Sequence, residues 1–300
     1  IIDFTVGEPD LPTPAHIVQA GIDTLNSGDI RYTASAGAKP LLQAVRAKFQ
    51  RENGLDYGLD ELIVGVGAKQ LIFTALAATV QAGDEVIIPA PYWVSYPDMV
   101  LVNDGTPVVV ACPEADGFKL TPQALEAAIT PRTKWVLLNT PSNPTGAMYG
   151  ADELRALGEV LARHPQVWLM TDEIYEHLAY GQARHASPAA VVPALAARTL
   201  TINGVSKAYA MTGWRLGYAG GPKALIKAMA TLISQSTSCV SAISQSAARV
   251  ALTADQRCVS DAAAVFHQRR DRIVALLNAV PGIRCPQPQG AFYVLSLIHI

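Results

Sequence analysis

The chain has 300 residues, of which 50% are hydrophobic and 16% are charged, and its formal net charge is −2. A chain of this length and composition can bury a core, so an intrinsically disordered segment is excluded. The even charge balance, without a basic stripe, argues against nucleic-acid and membrane-surface partners, and no apolar run reaches the length of a membrane span.

The four cysteines are scattered without CxxC spacing, and the six histidines form no HxH or HxxxH group. Unpatterned cysteines are typical of a reducing compartment, and neither residue type offers a metal-binding motif. We therefore expect a cytoplasmic protein without a metal site.

The first part of the chain is irregular and then helical. Gly-Glu-Pro-Asp at residues 7–10 begins a turn-rich arm. The spacing of apolar residues predicts helices over residues 15–27 and 40–53, each followed by a glycine.

From residue 61 onward, short apolar runs alternate with stretches of helical spacing. The predicted strands are 62–66, 85–89, 108–111, 135–139, 167–171, 200–203 and 216–219. The predicted helices between them are 69–80, 96–102, 122–129, 151–163 and 222–234. This alternation predicts an α/β fold with a mostly parallel central sheet sandwiched by helices, in which ligands bind at the carboxyl ends of the strands.

The last part of the chain leaves this pattern. Residues 242–279 are predicted to form a long helical segment that is kinked or paired, and Pro281-Gly282 marks a domain boundary. Residues 290–295 are predicted to begin another strand.

Lys207 and Arg215 lie between two of the predicted strands. Burial lowers the pKa of a lysine, and the neutral amine is a nucleophile that attacks aldehydes. A guanidinium beside it suits a phosphate, so together they suggest pyridoxal phosphate (PLP). Taken alone, the two residues are more often solvated loop residues.

Polar and aromatic residues follow the other predicted strands. A glycine-rich turn at residues 65–69 opens a helix and leaves N–H groups free for a phosphate, although any tight turn uses glycine. Asn143, in a rigid Asn-Pro turn, could donate to a phenolate oxygen, or be a plain turn residue. Trp93 could stack on a flat ligand, or belong to the core.

Asp172 follows the strand predicted at residues 167–171, and a carboxylate there needs a partner. A protonated pyridine nitrogen would be one, and Tyr175 could then reach the ring hydroxyl. The alternative is that Asp172 caps the N-terminus of a helix.

The motifs, taken together, resemble those of the class I/II aminotransferases, which are fold-type I PLP enzymes. They are Gly-Glu-Pro-Asp, Tyr-Thr-x-x-x-Gly, Gly-x-Lys-Gln, Pro-Tyr-Trp, Asn-Pro-Thr-Gly, Asp-Glu-Ile-Tyr, Ser-Lys-x-x-x-Met-Thr-Gly-Trp-Arg and Gly-Ala-Phe-Tyr. The sequence around them is most similar to bacterial aspartate aminotransferases of the Iβ type, some of which also act on prephenate. The resemblance extends to about residue 294.

The resemblance implies roles around the cofactor ring. Lys207 bonds to the cofactor and moves the substrate proton, while Asp172 pairs with the pyridine nitrogen. Tyr175 and Asn143 hydrogen-bond the ring oxygen, and Trp93 stacks on the ring. Lys207, Tyr175 and Asp172 are the catalytic residues in this assignment.

The resemblance also implies the phosphate and substrate contacts. The phosphate is held by the backbone of Ala68 and Lys69 and by Arg215, and Ser206, adjacent to Lys207, is a further cofactor-binding residue. A glycine at position 204, where many members have a serine, puts one phosphate contact in doubt. Tyr32 reaches the phosphate of the neighbouring subunit, which implies a homodimer.

Four residues are expected to bind the substrate. Gly7 lines the side of its α-carboxylate, and Lys69 is the candidate for the distal carboxylate of an acidic substrate, or else a solvated helix-start lysine. Trp93 and Asn143 complete the set.

The resemblance implies three regions. Residues 1–34 form an arm and part of a small domain, 35–280 the large PLP-binding domain, and 281–300 the start of a C-terminal small domain. Residues 296–300 depart from the family pattern and are expected to be non-native. Both ends are expected to be cut, with the arginine for the α-carboxylate outside this chain, so we expect these 300 residues alone to be weakly active or inactive.

The function implied is PLP-dependent transamination between an amino acid, aspartate by the closest resemblance, and a 2-oxo acid such as 2-oxoglutarate. Alternatives are transamination of prephenate or aromatic substrates and β-elimination on the same fold. A non-catalytic binding or regulatory module is the alternative from another class.

Overall fold

The computed structural model describes residues 6–298, so residues 1–5 and 299–300, which belong to the predicted arm and the predicted non-native end, lie outside the described residues. The helices are α1 (Ala15–Ser27), α2 (Lys39–Lys48), α3 (Ala68–Thr79), α4 (Ser95–Leu101), α5 (Pro122–Ala128), α6 (Ala151–Ala162), α7 (Pro188–Val191), α8 (Lys223–Ser236), α9 (Ala242–Thr253) and α10 (Arg257–Asn278). The strands are β1 (Leu62–Gly65), β2 (Glu85–Ala90), β3 (Thr106–Ala111), β4 (Thr133–Asn139), β5 (Trp168–Asp172), β6 (Thr199–Gly204), β7 (Gly217–Gly220), β8 (Ile283–Arg284) and β9 (Leu297–Ile298).

The main sheet has seven strands in the order β1-β7-β6-β5-β4-β2-β3. Neighbours from β6 through β3 are parallel, whereas β7 lies antiparallel between β1 and β6. The predicted mostly parallel sheet is therefore confirmed.

Helices cover both faces of this sheet. Since successive side chains of a strand point to opposite faces, one strand contributes to the core on each side. Along β4, Trp135 and Leu137 pack into a core with side chains of α3, α4 and α8. Val136 and Leu138 pack on the other side, against α5 and α6. Within residues 6–298, no helix is long and apolar enough to cross a membrane.

Two segments differ from the sequence prediction. The helix predicted over residues 40–53 is α-helical only to Lys48 and continues as a π-helical turn, Phe49–Asn53. The strand predicted over residues 290–295 is wrong: this stretch makes only an isolated bridge at Gly290, and its Phe292 packs edge-on against Tyr175 instead. The paired interpretation of residues 242–279 is confirmed by α9 and α10.

Candidate active site

One edge of the sheet gathers the ends of several strands. The parallel strands β4, β5 and β6 all end there, at Asn139, Asp172 and Gly204. Because β7 runs the opposite way, it begins at the same edge, just after Arg215. A cavity of about 620 Å³ opens at this edge, as expected for ligand sites in such sheets.

Lys207 lies in this cavity with its side chain mostly removed from water. Its Nζ donates a hydrogen bond to the backbone oxygen of Gly7 and lies 5.5 Å from the ring centroid of Phe292. Burial lowers the pKa of Lys207 to about 8, although the nearby Asp172 and Glu8 carboxylates act in the opposite direction. A substantial fraction of the amine is therefore neutral near physiological pH, as a nucleophile or base requires.

Asp172 forms the floor of the cavity and is only 5% exposed. The hydroxyl of Tyr96 donates to Oδ2 over 2.7 Å, and the Ile174 N–H approaches Oδ1 at 3.3 Å. Burial raises the pKa of Asp172 to about 6, against the lowering effect of the Tyr96 hydrogen bond. No helix begins at Asp172, so the alternative of a helix cap is wrong.

Tyr175 and Asn143 lie on the same side of the cavity. The Tyr175 hydroxyl is 2.7 Å from the Tyr293 hydroxyl, and burial, followed by this neighbour, raises the pKa of Tyr175 well above its ordinary value. The turn that carries Asn143 is fixed by Asn139, whose Oδ1 accepts from the Asn143 N–H at 2.6 Å and whose Nδ2 donates to the Asp172 carbonyl at 2.9 Å.

The N-terminus of α3 forms a concave backbone surface beside Arg215. Gly67 precedes the helix with φ of +84°, and no side chain caps the first N–H groups. Arg215 donates to the carbonyl of Thr212 at 2.9 Å and has no carboxylate partner among the described residues. A Cβ on Gly217 would lie 2.4 Å from the Ala68 nitrogen, so only glycine allows this close approach. Free N–H groups and a guanidinium together make an anion site.

Trp93 and Lys69 meet at the cavity wall. Lys69 Nζ lies 4.6 Å from the centroid of the Trp93 ring, a cation–π contact. The Trp93 ring packs edge-on against Tyr96, with centroids 5.4 Å apart, and Trp93 also lines the cavity. Trp93 is thus available to a flat ligand, in addition to its packing role.

The predicted residues are brought together with one exception. Those that line the cavity are Gly7, Ala68, Lys69, Trp93, Asn143, Asp172, Tyr175, Ser206, Lys207 and Arg215. Tyr32 does not line it and is 90% exposed. Sequence reasoning assigned no role to Tyr96, Asn139 or Tyr293, although Tyr293 belongs to the Gly-Ala-Phe-Tyr motif and Tyr96 follows Trp93 closely.

The donor set fits pyridoxal phosphate. Free backbone N–H groups and a guanidinium suit its phosphate. A buried carboxylate suits its pyridine nitrogen, and an amine of lowered pKa suits its aldehyde. The aromatic side chain of Trp93 offers a surface for the ring.

Known proteins resemble this chain over nearly its whole length. The family model described as "Aminotransferase class I and II" matches residues 1–299. The aspartate aminotransferase of Rhizobium meliloti (strain 1021) is 55% identical over 296 residues, which are 99% of this chain and 72% of that protein. The aspartate/prephenate aminotransferase of Cereibacter sphaeroides is 55% identical over 294 residues, 98% of this chain and 74% of that protein.

Solved structures agree with this similarity. The crystal structure of the Rhizobium meliloti aspartate aminotransferase superposes with a TM-score of 0.96 at 56% identity, covering 97% of this chain and 73% of that one. The aspartate aminotransferase from Thermus thermophilus with maleate gives a TM-score of 0.93 at 46% identity, covering 97% and 76%.

Proposed function

The chain belongs to the class I and II aminotransferases, which use pyridoxal phosphate, and we propose that it transfers the amino group of aspartate to a 2-oxo acid such as 2-oxoglutarate. The single observation that carries the proposal is the shared cavity of Lys207, Asp172 and Arg215. When bound, PLP accepts the amino group and draws off the electrons of the broken Cα–H bond.

The residues of the chain bind, orient and move protons. Lys207, as a neutral amine, takes the proton from the substrate α-carbon and returns it, because its pKa of about 8 lies close to the working pH. Asp172 would hold the pyridine nitrogen, and Tyr175 and Asn143 would hold the ring oxygen. Trp93 would cover the ring face.

The phosphate would be held by the N–H groups of Ala68 and Lys69, the guanidinium of Arg215 and the hydroxyl of Ser206. These donors sit where a helix N-terminus adds its positive end to the guanidinium charge. The carbonyl of Gly7 accepts the hydrogen bond from Lys207. The residues around Gly7 would face the substrate carboxylate.

An acidic substrate is supported by Lys69. Its ammonium group lies over Trp93 at the cavity wall without a carboxylate partner among the described residues. Two relatives are named for aspartate, and the Thermus thermophilus structure is titled with maleate, a dicarboxylate. Because another relative is named for aspartate/prephenate, prephenate is the second candidate amino acceptor.

The test is Lys69→Ala, assayed by kcat/KM for aspartate and for an apolar amino acid of similar size. Loss of one charge-assisted contact is expected to lower the aspartate value by about 10- to 100-fold. The apolar substrate should change little. Equal losses for both amino acids would refute the role of Lys69 in recognising the distal carboxylate.

The proposal extends to assembly and domains. Tyr32 is exposed and does not line its own cavity, which supports a contact with the phosphate of a second subunit in a homodimer. We retain the division into residues 1–34, 35–280 and 281–300, and a cytoplasmic location. Sedimentation of the protein with and without PLP tests the dimer.

A further inference from the structure

A cluster of buried charges lies behind the turn that carries Asp172 and Tyr175. We call it the anchor cluster, and its members are Lys48, Asn53, Glu173, Glu176, His185 and Ser187. Lys48 and Glu173 are 0% exposed, and Glu176 is 7% exposed. Charged groups are rarely buried so completely, so this arrangement needs an explanation.

Glu173 is held by residues that precede the turn in the sequence and by residues that follow it. Thr171 Oγ1 donates to its Oε1 at 2.9 Å, and Ser187 Oγ donates to its Oε2 at 2.6 Å. His185 Nε2 lies 2.8 Å from the same Oε2. Both oxygens of a fully buried carboxylate are thereby satisfied.

Glu176 is held by the end of α2 and by the π-helical turn that follows it. Lys48 Nζ forms a salt bridge with its Oε1 and also donates to Asn53 Oδ1 at 2.7 Å. Asn53 Nδ2 donates to Glu176 Oε2 at 2.6 Å and to Ser187 Oγ at 2.8 Å. The last residue of α2, Lys48, and the last residue of the π-helical turn, Asn53, thus bind the same carboxylate.

The turn presents its residues alternately to the two sides. Asp172 and Tyr175 line the cavity, whereas Glu173 and Glu176 point into the anchor cluster. The turn is closed by the Glu176 N–H bonding to the Glu173 carbonyl at 2.9 Å. A shift of Glu173 must therefore move the adjacent Asp172, and a shift of Glu176 must move the adjacent Tyr175.

A metal ion is the competing explanation for such a cluster. Glu173, Glu176 and His185 are close enough together to hold one, and so are Glu52, Glu176 and His177. Their carboxylate oxygens are, however, already occupied by protein donors, and the Lys48 ammonium supplies a positive charge where a cation would sit. Both oxygens of Glu173 and of Glu176 thus have donors without an ion. Among the described residues, His177 Nδ1 and His185 Nδ1 are buried without a hydrogen-bond partner, but the Nε2 atom of each ring already contacts a carboxylate.

We propose that the anchor cluster is a positioning device that fixes the places of Asp172 and Tyr175 in the cavity. It acts through Glu173 and Glu176. Through the salt bridge between Glu176 and Lys48, it connects the cofactor-binding edge of the sheet to α2. The inference concerns the proposed cofactor site and therefore rests on the proposed function. Displacements of about 1 Å at such groups can cost up to 100-fold in rate, so a rigid support has a clear use.

The test is Lys48→Met, which keeps most of the length of the side chain and removes its charge. Without its cation, the buried Glu176 is expected to pull the turn out of place. In the cofactor-free protein, amide hydrogen exchange over residues 172–178 should accelerate about tenfold or more. In the loaded protein, PLP affinity should fall about tenfold and the pH midpoint of its visible band should shift by about half a pH unit or more.

Leu125→Ala is the matched control. Leu125 is 1% exposed in a different core cluster, so its truncation destabilises the protein without touching the turn. At an equal loss in Tm, Leu125→Ala should leave three quantities unchanged: the amide exchange of residues 172–178, the PLP affinity and the pH midpoint of the visible band. If Lys48→Met gives no more exchange in that segment than Leu125→Ala, the positioning role is refuted.

Ser187→Ala covers the case in which Lys48→Met does not fold. It removes one hydrogen bond to Glu173 and one from Asn53, so the same segment should respond in the same direction but less strongly. The exchange measurement needs no cofactor, so it decides the positioning role separately from the proposed function. A wild-type protein without a visible PLP band would refute the proposed function. Unchanged amide exchange over residues 172–178 in Ser187→Ala would refute the positioning role of the anchor cluster.

Discussion

Tyr96→Phe would reveal how the fold holds the buried carboxyl group of Asp172. Tyr96 is 2% exposed, and its hydroxyl donates to Asp172 Oδ2 over 2.7 Å. Phenylalanine keeps the ring in place and removes only this donor. The effect should appear as a pH-dependent loss of stability in the cofactor-free protein.

The magnitude follows from the pKa of Asp172. Burial raises this pKa from 3.8 to about 6 in the folded protein, which corresponds to about 3 kcal/mol of unfolding free energy. Because the folded pKa is the higher one, this cost is absent below pH 3.8 and grows as the pH rises through 6. Stability therefore falls across that window even in the wild type.

The substitution should steepen this fall. A hydrogen bond to a charged group contributes about 1.5–3 kcal/mol and one to a neutral group about 1 kcal/mol. Tyr96→Phe should thus cost about 1 kcal/mol at pH 4, where Asp172 is protonated, and about 2–3 kcal/mol at pH 8, where it is charged. The pKa of Asp172 should rise further by about one pH unit.

Urea denaturation of the cofactor-free protein between pH 4 and pH 8 measures this difference. Tyr57→Phe is the control, because its buried hydroxyl donates to the neutral Thr201 Oγ1 at 3.1 Å rather than to a carboxylate. Its cost should be the same at every pH. A Tyr96→Phe cost that is equally independent of pH would refute the assignment of Asp172 as a buried carboxyl group of raised pKa.

Further predictions concern the two cationic residues of the cavity. Arg215→Ala should weaken PLP binding by about 10- to 100-fold, because charge-assisted bonds to the phosphate are lost, and should leave the binding of pyridoxal, which lacks the phosphate, unchanged in equilibrium dialysis. Equal weakening for both ligands would place Arg215 outside the phosphate site. The rate at which the protein captures pyridoxal should rise with pH, with a midpoint at about pH 8, since the neutral Lys207 amine reacts. Asp172→Asn should move this midpoint to lower pH, because the carboxylate favours the charged lysine; a midpoint that stays or rises would contradict that coupling.

Local sequence patterns were sufficient for the sheet and for much of the site. Strands β1, β2, β4 and β5 contain continuous apolar runs because both of their faces are covered, and such runs are visible without any structure. Residues that follow those runs, such as Asp172 and Asn143, necessarily share one edge of the sheet. Family motifs then supplied the roles that the spacing alone left open.

Contacts between distant parts of the chain could not be predicted in this way. Tyr96 bonds to Asp172 across 76 positions, and Lys48 bonds to Glu176 across 128. A lysine near the end of an amphipathic helix is ordinarily solvated, so nothing local marks Lys48 as buried. Residues 290–295 carry the apolar residues of a strand, but Phe292 packs against Tyr175 and Phe266 rather than in a sheet.

The central claim is that Lys207 bonds to PLP in this cavity. The most direct measurement is the visible absorption spectrum of the purified protein with PLP, before and after addition of aspartate, compared with Lys207→Ala. We expect a yellow band in the wild type and no such band in Lys207→Ala. Because we expect these 300 residues alone to be weakly active or inactive, aspartate should bleach the band slowly at most. A folded wild-type protein that shows no band, or a band that Lys207→Ala retains, would contradict the assignment of Lys207.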